Sequence, residues 1–147
     1  MSYFDSAYVA KFYLEEPESE AVRRLAESLG QVHCAVIGRV EVAAAFHRKF
    51  REGAFDAGAL REVMAQFDDD CGQALWTWLP LTAGLTARAA AAFARLPRPV
   101  FLRAADALHL ICAREQGLRQ IYTNDRHMSS AARRFGLKPM SVVPEPS

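Results

Sequence analysis

The sequence predicts a three-layer α/β/α domain built on a mostly parallel sheet, and three observations carry that expectation. Short apolar runs at residues 2–5, 32–37, 75–81, 118–123 and 138–143 have strand length, and helical apolar periodicity fills the intervals between them. Strands that alternate with helices pair in parallel and need cover on both faces. The chain has 147 residues, 51% apolar and 24% charged, which suits one domain over 1–147 with a core of its own.

Each element has a local reason. Tyr3-Phe4-Asp5 closes the first strand, and Ser6 can cap a helix carrying Val9, Phe12, Tyr13 and Leu14. Glu15-Glu16-Pro17-Glu18 breaks that helix and starts another, with Pro17 in its first turn, Val22, Leu25, Ala26 and Leu29 as its stripe and Gly30 as its stop. After the second strand, Gly38 leads into a helix over 39–51 with Glu41 in its first turn. Asp56 can cap a further helix to about Phe67, and Asp68-Asp69-Asp70-Cys71-Gly72 reads as a solvated loop. Trp76 and Trp78 share one side of the third strand, and Thr82 caps an alanine-rich helix to Leu96. Leu96-Pro97-Arg98-Pro99 is a breaker. The helix from Arg103 carries Asp106 in its first turn and stops at Gly117; the fourth strand then delivers Asp125 just past its end. A helix over 128–135 stopped by Gly136, an edge strand and Pro144-Glu145-Pro146 complete the chain.

Bulk properties exclude several classes. A net charge of +1 predicts neither nucleic-acid nor membrane binding, although acids elsewhere can mask a small basic face. Cys34, Cys71 and Cys112 are odd in number and lack CxxC spacing, which argues against a disulfide framework or a zinc knuckle and fits a reducing compartment. The alanine run near 83–94 is interrupted by Arg88 and too short to span a bilayer, and no basic start precedes an apolar leader, so a cytoplasmic location is expected. Neither a GxxxxGK phosphate loop nor an RRM-type stacking motif is present.

The carboxylates give the functional signal. In a parallel α/β sheet, helix N-termini share an edge with strand C-termini. Asp5 and Asp125 follow strands, while Glu41 and Asp106 open helices, so all four should collect at the carboxyl edge, where such folds bind ligands. Taken singly, each has a structural use: a first-turn acid complements the helix dipole, Asp5 can cap, and Asp125 can sit in a turn. Together and unpaired they would repel, and a hard divalent cation such as Mg²⁺ or Mn²⁺ relieves that repulsion. An ion there can activate water and stabilise charge on a phosphodiester, so the implied chemistry is phosphodiester hydrolysis.

Four motifs in order, Tyr3-Phe4-Asp5-Ser6-Ala7, Arg39-Val40-Glu41-Val42-Ala43, Arg103-Ala104-Ala105-Asp106-Ala107-Leu108-His109-Leu110 and Tyr122-Thr123-Asn124-Asp125-Arg126-His127, resemble those of PIN-domain proteins, with VapC-type toxins of toxin–antitoxin pairs the nearest in pattern. The resemblance covers essentially the whole chain, through Ala131-Ala132-Arg133-Arg134-Phe135-Gly136-Leu137; the motifs are specific as a set and weak singly. Ser6-Ala7 stands where Thr-Ser is frequent, a modest departure that keeps the first hydroxyl. It implies a Mg²⁺- or Mn²⁺-dependent endoribonuclease whose metal ligands match Asp5, Glu41, Asp106 and Asp125, supported by Ser6, Thr123 and Asn124. It also implies RNA as substrate, a small antitoxin covering the site and a homodimer.

Other residues carry two readings. His109, one turn after Asp106, is either a proton shuttle or a helix-packing histidine. Arg98, Arg103 and Arg126 flank the acidic edge as candidate RNA-phosphate contacts or as solvated surface. Phe12, Tyr13 and Val22 are either an antitoxin groove or core. At the level of function, the rivals are a PIN-like binding module without turnover and a housekeeping RNA-processing nuclease without an antitoxin.

Overall fold

A computed structural model of the chain describes residues 1–144. Residues 145 and 146 of the closing Pro-Glu-Pro lie outside the described part.

The strands are β1 (Ser2–Phe4), β2 (Val32–Ala35), β3 (Trp76–Leu79), β4 (Gln120–Tyr122) and β5 (Lys138–Met140), all parallel, in the order β3-β2-β1-β4-β5. The helices are α1 (Ser6–Tyr13), α2 (Ser19–Leu29), α3 (Gly38–Arg51), α4 (Ala57–Gly72), α5 (Ala83–Phe93), α6 (Ala104–Glu115) and α7 (Arg126–Ala132), with a 3₁₀ turn at Arg133–Phe135. The chain winds outward from β1 through β2 to β3, then restarts on the other side of β1 with β4. The reversal lies between β1 and β4, the switch point at which open parallel sheets form a crevice at their carboxyl ends.

Strand alternation builds two cores. Tyr3 and Ile121 point into one, packed by α5, α6 and α7; Phe4 and Tyr122 point into the other, packed by α1 to α4. Helix α6 is buried almost all round, from Asp106 to Ala113, because alanine and leucine occupy nearly every face of its middle turns. Gly117 takes φ 75° just past its end, the left-handed conformation that lets the chain turn back toward β4. Cys34 and Cys112 are buried, and all three cysteines are free.

Three expectations are corrected. Asp5, not Ser6, caps α1, accepting from the Tyr8 N–H at 2.9 Å. Pro17 lies in the turn before α2 rather than inside its first turn. The Asp68-Asp69-Asp70 run is the last turn of α4 rather than a loop. Acids at a helix C-terminus oppose the dipole, but partners offset this: the Tyr13 hydroxyl donates to Asp70 at 2.6 Å, Arg39 pairs with Asp68 at 3.4 Å, and Gln73 donates to Asp69 at 2.8 Å. Tyr13 is held further by Trp76 Nε1, which donates to its hydroxyl at 2.7 Å, and Val22 is fully buried. Val22 therefore belongs to the core, and Phe12 and Tyr13 pack against it half-buried.

Gly38 starts α3 and so sets where Glu41 emerges. A Cβ at Gly38 would lie 2.5 Å from Cys34 Sγ and 3.1 Å from the Trp78 ring. Cys34 is fully buried and has no room to withdraw. Gly38→Ala is expected to cost about 1–3 kcal/mol, the range for overpacking a filled core; a urea midpoint equal to wild type would show that α3 adjusts freely.

Candidate active site

All four sequence-singled acids line one cavity of about 260 Å³ at the carboxyl edge, with Ser6, Ala7, Arg103, Ala105, His109 and Met128. Its position is the β1/β4 switch point, and each side chain arrives from an element end. Asp5 follows β1, its backbone N–H tied to Tyr122 of β4 at 3.1 Å. Asp125 follows β4 and caps α7, its Oδ1 accepting from Met128 N–H at 2.8 Å. Both aspartates use Oδ1 on a helix N-terminus, which fixes the carboxylate plane and leaves Oδ2 outside the cap. Glu41 and Asp106 enter from the first turns of α3 and α6.

Behind them stands a polar layer. The Thr123 hydroxyl is buried and accepts the Asp125 N–H at 3.0 Å. Asn124 does not reach the cavity. Its Oδ1 accepts from the Tyr8 hydroxyl and from Ser141 Oγ, both at 2.6 Å, so it braces the residue whose N–H holds Asp5. Burial pushes the Asp5 carboxyl up to about 6, with the Asp125 charge adding to the rise and hydrogen bonding to Thr123 and the Tyr8 N–H opposing it.

Among the candidate arginines, only Arg103 lines the cavity, and it is turned onto the acids. Its Nε donates to Asp106 Oδ2 at 3.1 Å and its other arm to Asp125 Oδ2 at 3.0 Å. Because 62% of the Arg103 side chain is exposed, water screens both pairs and they add little stability. Arg98 and Arg126 are exposed and outside the cavity.

The residues missed as a unit are His109 and Tyr3. His109 is 1% exposed; its Nε2 lies 2.6 Å from Glu41 Oε1 and its Nδ1 2.5 Å from the Tyr3 hydroxyl. That hydroxyl accepts the Ala35 N–H at 2.8 Å, and burial pushes the Tyr3 phenol well up, so it keeps its proton and donates it to Nδ1. With Nδ1 accepting, Nε2 carries the hydrogen and donates to Glu41. A line of hydrogen bonds thus runs from β2 through β1 and α6 to α3. His109 is packed within the fold and also lines the cavity, where it holds Glu41. The sequence signal was its position one turn after Asp106; nothing local pointed to Tyr3.

The donor set fits a hard divalent cation: every acid offers oxygen, and a guanidinium already bridges two of them as a positive charge. Among the described residues, no three acid, histidine or cysteine groups are drawn together into a ready-made ion cage. No helix among them is long and apolar enough to cross a membrane.

Comparison with known proteins identifies the architecture. The PIN-domain family profile matches residues 2–134. The structure of the Mycobacterium tuberculosis VapC20, described as a sarcin–ricin-loop-cleaving toxin, superposes with a TM-score of 0.70 at 16% identity, covering 89% of this chain and 95% of that one. FitAcB from Neisseria gonorrhoeae superposes with a TM-score of 0.64 at 17% identity, covering 95% and 96%. At such identities the likeness is one of fold. No curated protein matches the chain in sequence.

Proposed function

The chain belongs to the PIN-domain family, and on that footing we propose that it is a Mg²⁺- or Mn²⁺-dependent endoribonuclease acting as the toxin of a toxin–antitoxin pair. The observation that carries this is the convergence of Asp5, Glu41, Asp106 and Asp125 on one cavity at the switch point of the sheet. The description of the VapC20 neighbour as a loop-cleaving toxin supports the same substrate class.

Asp5, Glu41, Asp106 and Asp125 would hold the ion. When bound, it supplies neutralisation of the acids, a Lewis acid for a phosphodiester oxygen and a lower pKa for an attacking water. The chain's own contribution is orientation. Backbone N–H groups fix Asp5 and Asp125, and His109 aims Glu41. No side chain is needed as nucleophile. Arg103, freed from the acids, would face the phosphate, since guanidinium pairs with phosphate as it does with carboxylate.

Arg103 and the ion compete for the same oxygens, which sets a sign. Arg103→Gln is expected to tighten Mn²⁺ binding about threefold to tenfold, the range for removing one nearby charge under water-like screening. Calorimetric titration reads this; unchanged or weaker binding would show that the ion sits clear of Arg103.

Phe101 is 55% exposed and meets His127, two residues after Asp125, edge-on with ring centroids 4.9 Å apart. Such a ring can receive an unstacked base. Val36 and Val40, exposed beside the start of α3, offer apolar surface for an antitoxin over the site. A homodimer is part of the same proposal and is read by light scattering.

The deciding experiment is cleavage of a mixed RNA pool with Mg²⁺, Mn²⁺ or EDTA. Metal-dependent cleavage is expected. A chain that binds metal but leaves every RNA intact would favour a non-catalytic binding module. Growth arrest on expression, relieved by the product of an adjacent small gene, is expected of a toxin; its absence beside full RNA cleavage would favour a processing nuclease.

A further inference from the structure

A second cavity, of about 530 Å³, lies away from the acids, between the C-terminal halves of α5 and α6 and the 3₁₀ turn. Four guanidiniums, Arg88, Arg95, Arg114 and Arg134, face it against one carboxylate, Glu115. That carboxylate is already taken: Arg88 holds both its oxygens, at 2.5 and 2.6 Å. Among the described residues, Arg95, Arg114 and Arg134 have no acidic partner, and all three are exposed. The floor is apolar, formed by Ala91, Leu96, Ile111 and Phe135. In a chain with a net charge of only +1, this is a concentrated positive site.

We propose that this arginine cavity is an exosite for the phosphodiester backbone of the RNA substrate, a proposal that rests on the ribonuclease function above. Three features favour RNA as the occupant. The catalytic edge is itself anionic and repels phosphate, and its one cavity-lining arginine is engaged with the acids, so affinity must come from cations elsewhere. Helix α6 carries Asp106 in its first turn at the acids and Arg114 near its end at the exosite, an axial offset of about 12 Å at 1.5 Å per residue. The connector from α5 back to α6 runs between the two regions and carries Arg98, exposed, along its course. An RNA strand entering the acids thus follows a connector bearing Arg98 to a pocket whose guanidinium planes and apolar floor suit both phosphate and base.

The test uses the full chain in EDTA, which stops cleavage, with a labelled 20-nucleotide single-stranded RNA read by anisotropy over a salt series. The variant is Arg95→Ala/Arg114→Ala/Arg134→Ala, which leaves the Arg88–Glu115 pair in place; the matching triple Arg→Lys variant retains charge. Losing three phosphate contacts should weaken binding roughly tenfold or more and make the log–log salt slope shallower by about 2. The lysine variant should recover most of the slope. Cleavage of a dinucleotide, whose single phosphate occupies the acids, should be unchanged with metal added. RNA binding by the alanine variant equal to wild type, in affinity and slope, would overturn the exosite and leave the nuclease function standing. Absence of RNA binding by wild type in EDTA would likewise overturn the exosite, while metal-dependent cleavage of the RNA pool decides the nuclease function separately. A decaglutamate peptide that binds wild type more tightly than the RNA, and loses that binding in the alanine variant, would assign the cavity to an acidic protein segment instead.

Discussion

Asp106→Asn is expected to lower metal-dependent RNA cleavage by about 10²–10³-fold or more, the loss seen when one preorganised charge stabiliser is removed, while leaving the fold intact. Asp106 is the cleanest of the four acids to change. It is 7% exposed, its one hydrogen-bond partner among the described residues is the Arg103 side chain, and α6 has no side-chain cap for it to disturb. Asparagine keeps the shape and gives up the charge. Loss of a first-turn acid costs a few tenths to about 1 kcal/mol of dipole interaction, and relief of repulsion from the neighbouring acids offsets it, so apo stability should stay within about 1 kcal/mol of wild type. The metal response should not. At a concentration one hundred times its Kd, an ion stabilises by about 2.7 kcal/mol, and the variant should lose most of that gain in thermal midpoint. Asp68→Asn, changing an acid at the far end of α4, is the control and should cleave as wild type does. Equal cleavage by Asp106→Asn and Asp68→Asn would mean that the convergence of acids is structural.

These acids were legible because each sits where a local signal ends: Asp5 and Asp125 after apolar runs, Glu41 and Asp106 at the head of periodic ones. Alternation of strands and helices was enough to expect a parallel sheet and its carboxyl edge. It could not show that β4 pairs with β1, the step that turns four acids on one edge into four acids around one crevice. Other failures have the same origin in distance along the chain. Asp68-Asp69-Asp70 reads as a loop because its own turn favours none; Tyr13, 57 residues before Asp70, holds it in helix. Ser6 reads as a cap because serine often caps, yet the residue before it both caps α1 and faces the cavity, a double use that no spacing rule encodes. Arg103 reads as a surface cation until Asp125, 22 residues on, is folded beside it.

The hydrogen-bonded line Ala35–Tyr3–His109–Glu41 joins residues separated by as many as 106 positions, and breaking it at His109 is expected to be the most destabilising single change near the site. His109→Ala removes a fully enclosed ring and leaves the buried Tyr3 hydroxyl without its acceptor, at a cost of about 2–4 kcal/mol. Tyr3→Phe keeps the ring packing but orphans the Ala35 N–H, buried at the end of β2, for about 1–3 kcal/mol. Urea denaturation reads both. Stability alone would not separate packing from positioning, so the second readout is Mn²⁺ affinity in folded protein. With His109 gone, Glu41 loses its donor and must be ordered by the ion itself, and affinity should fall about tenfold to a hundredfold, the range for groups that orient a metal ligand. A cycle of His109→Ala with Glu41→Gln then decides the role. If His109 acts by holding Glu41, its effect on metal affinity should largely vanish once the Glu41 charge is removed, a coupling of about 0.5–3 kcal/mol. Additive losses would instead mean that His109 only fills the space between α6 and the sheet and that Glu41 finds the cavity unaided. Tyr3→Phe provides the graded case, because it frees Nδ1 from its donor while leaving the ring beside Glu41. Its effect on metal affinity should lie between wild type and His109→Ala, since the imidazole is then free to turn either nitrogen toward the acid.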